Sequence, residues 1–222
     1  MVLAQLIKRF RSAAFDLEEP YLFSDAEITD WLNEGLDEAA VRSRLIHESV
    51  DPDVCHIVVL PGVSVYPLHE SLHEVDCLHL FDEMISSQAE ELIQIAQDDL
   101  TNVCHDWRTR TGQPRYVIVN DTSIRLSPTP TTGALIKLEG YRRPLQPMVV
   151  DTDKPEINTV HHETLIEWVK YKGFGRPDSE VFDPTKSATA ETIFTNYFGI
   201  KPKANYLKRN RVDYPYVKPC DL

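Results

Sequence analysis

Five consecutive residues, His69-Glu70-Ser71-Leu72-His73, spell H-E-x-x-H. On a helix, histidines at i and i+4 share one face and bind zinc, and the glutamate between them activates water. The surroundings do not supply that helix. Pro67 stands just before the motif, the run ahead of it reads as a strand, and Glu74 puts a charge where such helices bury an apolar side chain. No downstream Glu or His falls in a helical context as third ligand. The motif therefore reads as a solvated turn, with a zinc hydrolase built on His69, Glu70 and His73 as the lesser alternative.

The other reactive residue types fare no better. His161-His162-Glu163 falls in the first turn of a helix, where adjacent residues do not share a face; Glu163 suits the positive end of the helix dipole. Asp151 and Asp153 lie in a loop with too few oxygen ligands around them to hold a cation. Cys104 and His105, near a helix end, have no identifiable activating neighbour. There is no glycine-rich phosphate cradle, and the whole chain has only 8 glycines. The sequence thus offers no catalytic, cofactor or metal site, and it reads as a non-enzyme.

The elements that carry these residues are those of an ordinary globular chain. It has 222 residues, 42% hydrophobic and 26% charged, enough for a core without staples. The four cysteines, Cys55, Cys77, Cys104 and Cys220, form no C-x-x-C pair and read as thiols of a reducing compartment. No signal peptide or membrane span is expected, because Met1 to Phe15 has apolar residues at helical spacing but no continuous run.

Charge is distributed unevenly. The formal net charge is −12, which argues against a surface made to grip nucleic acid. Residues 201–222 nevertheless hold six cations against two carboxylates, a net +4, so residues 1–200 carry −16. A block asymmetry of this kind marks an interaction tail. Its aromatic and apolar residues are of the type that anchors interfaces. The candidate docking residues are Lys201, Lys203, Tyr206, Leu207, Lys208, Arg209, Arg211, Tyr214, Tyr216 and Lys218.

Periodicity predicts helices over 2–15, 24–46, 87–107, 160–172 and 184–198. Ser24 and Glu27 form a capping box, flanked by Phe23 and Ile28 as a hydrophobic staple. Thr159 is the expected cap of the fourth helix, and Asp183-Pro184 opens the fifth. A β module is expected over about 52–81 and 114–144. In it, residues 54–68 read as a hairpin about Pro61-Gly62, 77–81 as a third strand, and 116–119 with 123–126 as a strand pair.

The order of these segments resembles a known family. Two N-terminal helices lead into a hairpin. Then come a long helix ending in Trp107, the run Gly112-Gln-Pro114-Arg-Tyr116, the run Leu126-Ser-Pro128-Thr-Pro130, and Gly133 onward to Tyr141 and Pro144. Over about residues 1–200 this is similar to the head-to-tail adaptor (connector) proteins of tailed bacteriophages, including those of short-tailed phages. The resemblance implies a structural virion protein at the head–tail junction, folded in the host cytoplasm. It implies a homo-oligomeric ring, typically of twelve copies, beneath the portal. The ring joins the portal to a downstream tail or nozzle protein, extends the DNA channel, touches passing DNA only transiently and helps retain the packaged genome. The tail at 201–222 is, by the same resemblance, the portal-binding element. Another neck or tail-completion ring protein is the alternative. The expected fold is α+β: a helical bundle packed with a small antiparallel β-sheet or barrel-like module as core (1–200), and an extended C-terminal arm (201–222), with no cofactor and no membrane contact.

Overall fold

The computed structural model describes residues 1–81, 89–177 and 181–202. In chain order its elements begin with α1 (Leu3–Ala14), α2 (Asp25–Ser43), β1 (His47–Glu48), α3 (Pro52–Cys55), β2 (His56–Val59) and β3 (Val65–Pro67). Next come β4 (Leu72–Phe81), β5 (Glu90–Glu91), β6 (Ile93–Gln94), α4 (Gln97–Val103), β7 (Tyr116–Val119), β8 (Ser123–Ser127) and β9 (Ala134–Arg142). A 3-10 turn at Thr159–His161, α5 (Leu165–Phe174) and α6 (Pro184–Phe198) complete the order. The α+β class expected from the sequence is the class observed. Two compact units divide the chain: a helical unit of Met1–Ile46 and Arg143–Lys201, and a β unit built on His47–Arg142.

In the helical unit, α1, α2 and α6 all pack on α5. The apolar stripe Leu3, Leu6, Ile7 and Phe10 of α1 is buried, as is Ile28, Leu32, Leu36 and Ala39 of α2. Both follow the helical period that the sequence shows. The α2 capping box forms in full: the Ser24 hydroxyl accepts from Glu27 N at 3.2 Å, and Ser24 N donates to the Glu27 carboxylate at 3.1 Å. The helix stops at Ser43, short of the expected residue 46, because Arg44 turns into the left-handed region at φ 51°. Gly35 lets α2 approach α5 closely: a Cβ there would sit 2.9 Å from the Trp168 Cβ. The Asp183 carboxylate caps α6 by accepting from Thr185 N and Lys186 N, with Pro184 at the first helical position. The fourth helix differs from expectation. Asn158, not Thr159, caps its entry, a 3-10 turn comes first, and α5 begins only at Leu165.

The β unit contains two sheets. One has the order β1-β9-β4-β5, with β2 also on β9; the other runs β3-β8-β7-β6. The expected β7–β8 pair forms, with Val119 opposite Ile124. The expected 54–68 hairpin does not. β2 pairs with β9 and β3 with β8, so the Pro61-Gly62 turn carries the chain from one sheet to the other. Tyr66 fixes that crossover: its hydroxyl accepts from Leu60 N at 2.9 Å and donates to Val63 O at 2.8 Å. Among the described residues the sheets close no barrel.

The predicted helix over 87–107 is the largest correction. Glu90–Glu91 pairs with β4, Ile93–Gln94 runs parallel to β7, and only Gln97–Val103 is helical. Leu92 and Ile95 are buried while Ile93 is exposed, so the same apolar residues also satisfy a sheet edge. Leu92 N donates to Leu78 O and Ile95 N to Val117 O, each toward a different sheet. Those non-local ladder bonds outweigh the local helical preference, which amounts to a few tenths of a kcal/mol per residue, about 0.7 at most. Residues 87 and 88 of that prediction lie outside the described residues.

Candidate docking interface

Of the ten candidate docking residues, Lys201 lies among the described residues; Lys203, Tyr206, Leu207, Lys208, Arg209, Arg211, Tyr214, Tyr216 and Lys218 lie outside them. Lys201 stands just past the end of α6, and that end is built into α2. The Ser43 hydroxyl donates to Phe198 O at 2.6 Å. Arg42 Nη1 donates to the Thr195 hydroxyl at 3.2 Å, and its Nε to Glu38 at 3.0 Å. The guanidinium carbon lies 5.2 Å from the ring centroids of both Trp168 and Phe194. Lys201 Nζ makes a short bond to the other Glu38 oxygen, so one carboxylate joins Arg42 and Lys201. Gly199, at φ 89°, makes the exit from α6 that a side chain would resist. The segment after residue 202 therefore starts from a fixed point: the last carbonyl of α6, that of Phe198, is satisfied by α2, and two cations are held on one acid.

The chemistry-bearing motifs resolve into structural roles. His69 lies in a turn, where its Nδ1 is 2.8 Å from the Ser71 hydroxyl, while His73 is on strand β4. The H-E-x-x-H residues thus occupy a turn and a strand, which removes the helical face that zinc binding requires. No group of three or more His, Cys, Asp or Glu among the described residues is placed to hold a metal ion. His162 is buried, with Nε2 3.0 Å from Ile157 O, and burial lowers its pKa. Neighbouring His161 instead meets the Tyr197 hydroxyl at 3.1 Å, and Glu163 pairs with Arg9 at 2.8 Å. The Asp153 carboxylate accepts from Val149 N and Val150 N, which lowers its pKa. The carbonyls of Asp151 and Asp153 accept from Ala4 N and Leu3 N, so this loop caps α1 rather than holding a cation. Cys104 Sγ donates to Asp106 at 3.2 Å.

Two buried ion pairs were not foreseen. Arg11 extends the apolar stripe of α1 by one turn, and its guanidinium bonds Asp16, Phe23 O and Asp25. Its place on that stripe was the available signal. In the β unit Arg142 donates to Glu48 at 2.9 Å across 94 residues of sequence. Burial opposes the Glu48 charge, but N–H groups from Val50 and Asp51 and the Arg142 guanidinium prevail and bring its pKa down to about 2. Burial, reinforced by Glu48 and Asp51, pushes the nearby Cys55 thiol up to about 11, so it stays protonated and inert. No local pattern announces a pair so distant in sequence.

A protein-family model described as SU10 adaptor protein matches residues 1–215. The chain belongs to the SU10 adaptor protein family. The match spans both units and most of the C-terminal segment. A search of curated proteins gave no match. As an SU10 adaptor, the protein is a structural component of a bacteriophage virion and associates with other virion proteins. Among its described residues no helix is long and apolar enough to cross a membrane.

Proposed function

We propose that this SU10 adaptor forms a ring at the head–tail junction, beneath the portal, with twelve copies as the expected number. The ring joins the portal to a downstream tail or nozzle protein, extends the DNA channel and helps retain the packaged genome. One observation carries the reading: a family match over residues 1–215 reaches into a basic, tyrosine-bearing segment whose start is clamped to α2 through Lys201, Glu38 and Arg42. A basic arm on a fixed base gains electrostatic steering toward an acidic rim. Tyr206, Tyr214 and Tyr216 then supply anchoring area, with Lys203, Lys208, Arg209, Arg211 and Lys218 around them. The body of the protein, at −16, suits a channel through which DNA slides, because negative walls repel phosphates.

Electron cryomicroscopy of the chain mixed with its own portal tests the reading. The expected image is a ring seated directly under the portal. A ring bound elsewhere in the neck would favour a tail-completion protein instead, and no association at all would overturn the proposal.

A further inference from the structure

Two surfaces of the helical unit are apolar where solvent-facing residues would ordinarily be polar. The first is the α1–α2 connection. Phe15, Leu17 and Leu22 are 87%, 64% and 52% exposed within eight residues. The connection is nonetheless rigid. Asp16, buried beneath it, accepts from Arg11 at 2.6 Å and from Leu22 N at 2.8 Å, and the Arg11 guanidinium lies 3.8 Å from the Tyr21 ring centroid. Phe15 is held in the left-handed region at φ 59°, an uncommon conformation for a bulky residue, with its ring in solvent. Apolar groups held out on a fixed backbone bind at low entropic cost, which is how interface anchors are presented.

The second surface is the outer face of α6. It bears Thr189, Thr192, Ile193, Asn196 and Tyr197, none of them charged, with exposed Glu191 at its border beside Thr192. The threonines are less polar than their names suggest. Thr189 and Thr192 each donate a hydroxyl to the carbonyl four residues back, at 2.8 Å, which satisfies that hydroxyl within the helix and makes a methyl-rich face. Ile193 and Tyr197 are 46% and 50% exposed. Threonine is a poor helix former, so such residues are not there for helix stability.

We infer that these two surfaces meet between copies: the Phe15–Leu17–Leu22 knob of one chain seats on the methyl-lined outer face of α6 of a second copy. Charge supports this occupant. Exposed Glu18 and Glu19 rim the knob, while Lys186 and Lys201, each paired within its own chain to the less exposed Asp183 and Glu38 and still mostly in solvent, flank the α6 face at its two ends. Because knob and face are different patches, the contact is heterologous and closes into a ring when the rotation permits. The inference rests on the ring reading above and names the contact that would build it.

Cysteine trapping in the full chain tests it. Leu17→Cys and Thr192→Cys single variants, mixed one to one under a mild oxidant, are expected to give a dimer whose bridge mass spectrometry assigns to positions 17 and 192. Adding Phe15→Asn to the Leu17→Cys chain removes the anchor while keeping a residue that tolerates the left-handed backbone. The yield should then fall about tenfold or more. Dimer no more abundant than the wild-type chain gives through its own cysteines overturns the inference, as do 17–17 or 192–192 bridges in place of 17–192. If microscopy shows a ring and the 17–192 bridge is absent, this contact is wrong and the ring reading stands. If no ring forms with the portal, the ring reading itself fails.

Discussion

The helical unit and the β unit are held together by different means. Aromatic packing dominates the first. Phe10, Trp31 and Phe174 each meet Phe23 edge-to-face, and Trp168, Phe194 and Phe198 form a second, tilted series. The starts of α2 and α6 are capped by nearby side chains, Ser24 and Asp183. The second unit relies on strand pairing over long sequence distances and on a buried ion pair between Glu48 and Arg142. The outer face of its larger sheet keeps His47, His56, Lys137 and His79 at least partly in solvent. Each unit also buries an ion pair, Arg11 with Asp16 in the first and Arg142 with Glu48 in the second, so a lost charge damages either, while forcing a backbone apart bears mainly on the strand ladders of the second. The features proposed for docking, Lys201 with its α2 clamp, the knob and the α6 face, all lie on the helical unit.

Four substitutions sharpen this contrast. Phe194→Ala, in the fully buried layer against Trp168, should cost about 3–5 kcal/mol. Urea unfolding followed by tryptophan fluorescence reads it. Glu48→Gln should cost about 3 kcal/mol at neutral pH, because the carboxylate is held at about 2 against a usual 4.5. A depressed carboxylate stabilises the fold above its unfolded pKa and loses that effect as pH falls through its folded one. Wild type and Glu48→Gln should therefore converge in stability between about pH 4.5 and pH 2 in acid titrations followed by circular dichroism. A gap that persists at pH 2 would show that Glu48 acts through packing rather than charge. Ser24→Ala should cost about 1 kcal/mol through the lost α2 cap, with amide exchange faster in the first turn of that helix. Glu70→Ala, at an exposed turn position, should stay within about 0.5 kcal/mol. Zinc bound stoichiometrically by wild type and lost in His73→Ala would revive the hydrolase alternative.

The two units also differed in how well the sequence announced them. Stripes, caps and stops of the helical unit are local, so Leu3 to Phe10, the Ser24–Glu27 box and Asp183-Pro184 could be read directly. The β unit depends on which strand each strand meets. A hairpin about Gly62 and a crossover between sheets have the same local signature; the difference is set by β9 and β8, more than 50 residues on. The same holds for Leu92 to Ile95, whose spacing fits a helix until two sheets compete for its backbone. Charge alone marks out the C-terminal segment in the sequence, and its residues 203–222 lie outside the described ones. What the sequence did not reveal was its foundation, because Ser43, Arg42 and Glu38 meet Phe198, Thr195 and Lys201 only after folding.

That foundation sets the most direct test. Binding of the full chain to its own portal should be compared with binding of a chain lacking residues 203–222, which keeps the Lys201–Glu38–Arg42 clamp. The account expects the shortened chain to keep its thermal midpoint and to lose affinity by about a hundredfold or more, as removal of clustered aromatic and arginine anchors does. Unchanged affinity for the portal would contradict it.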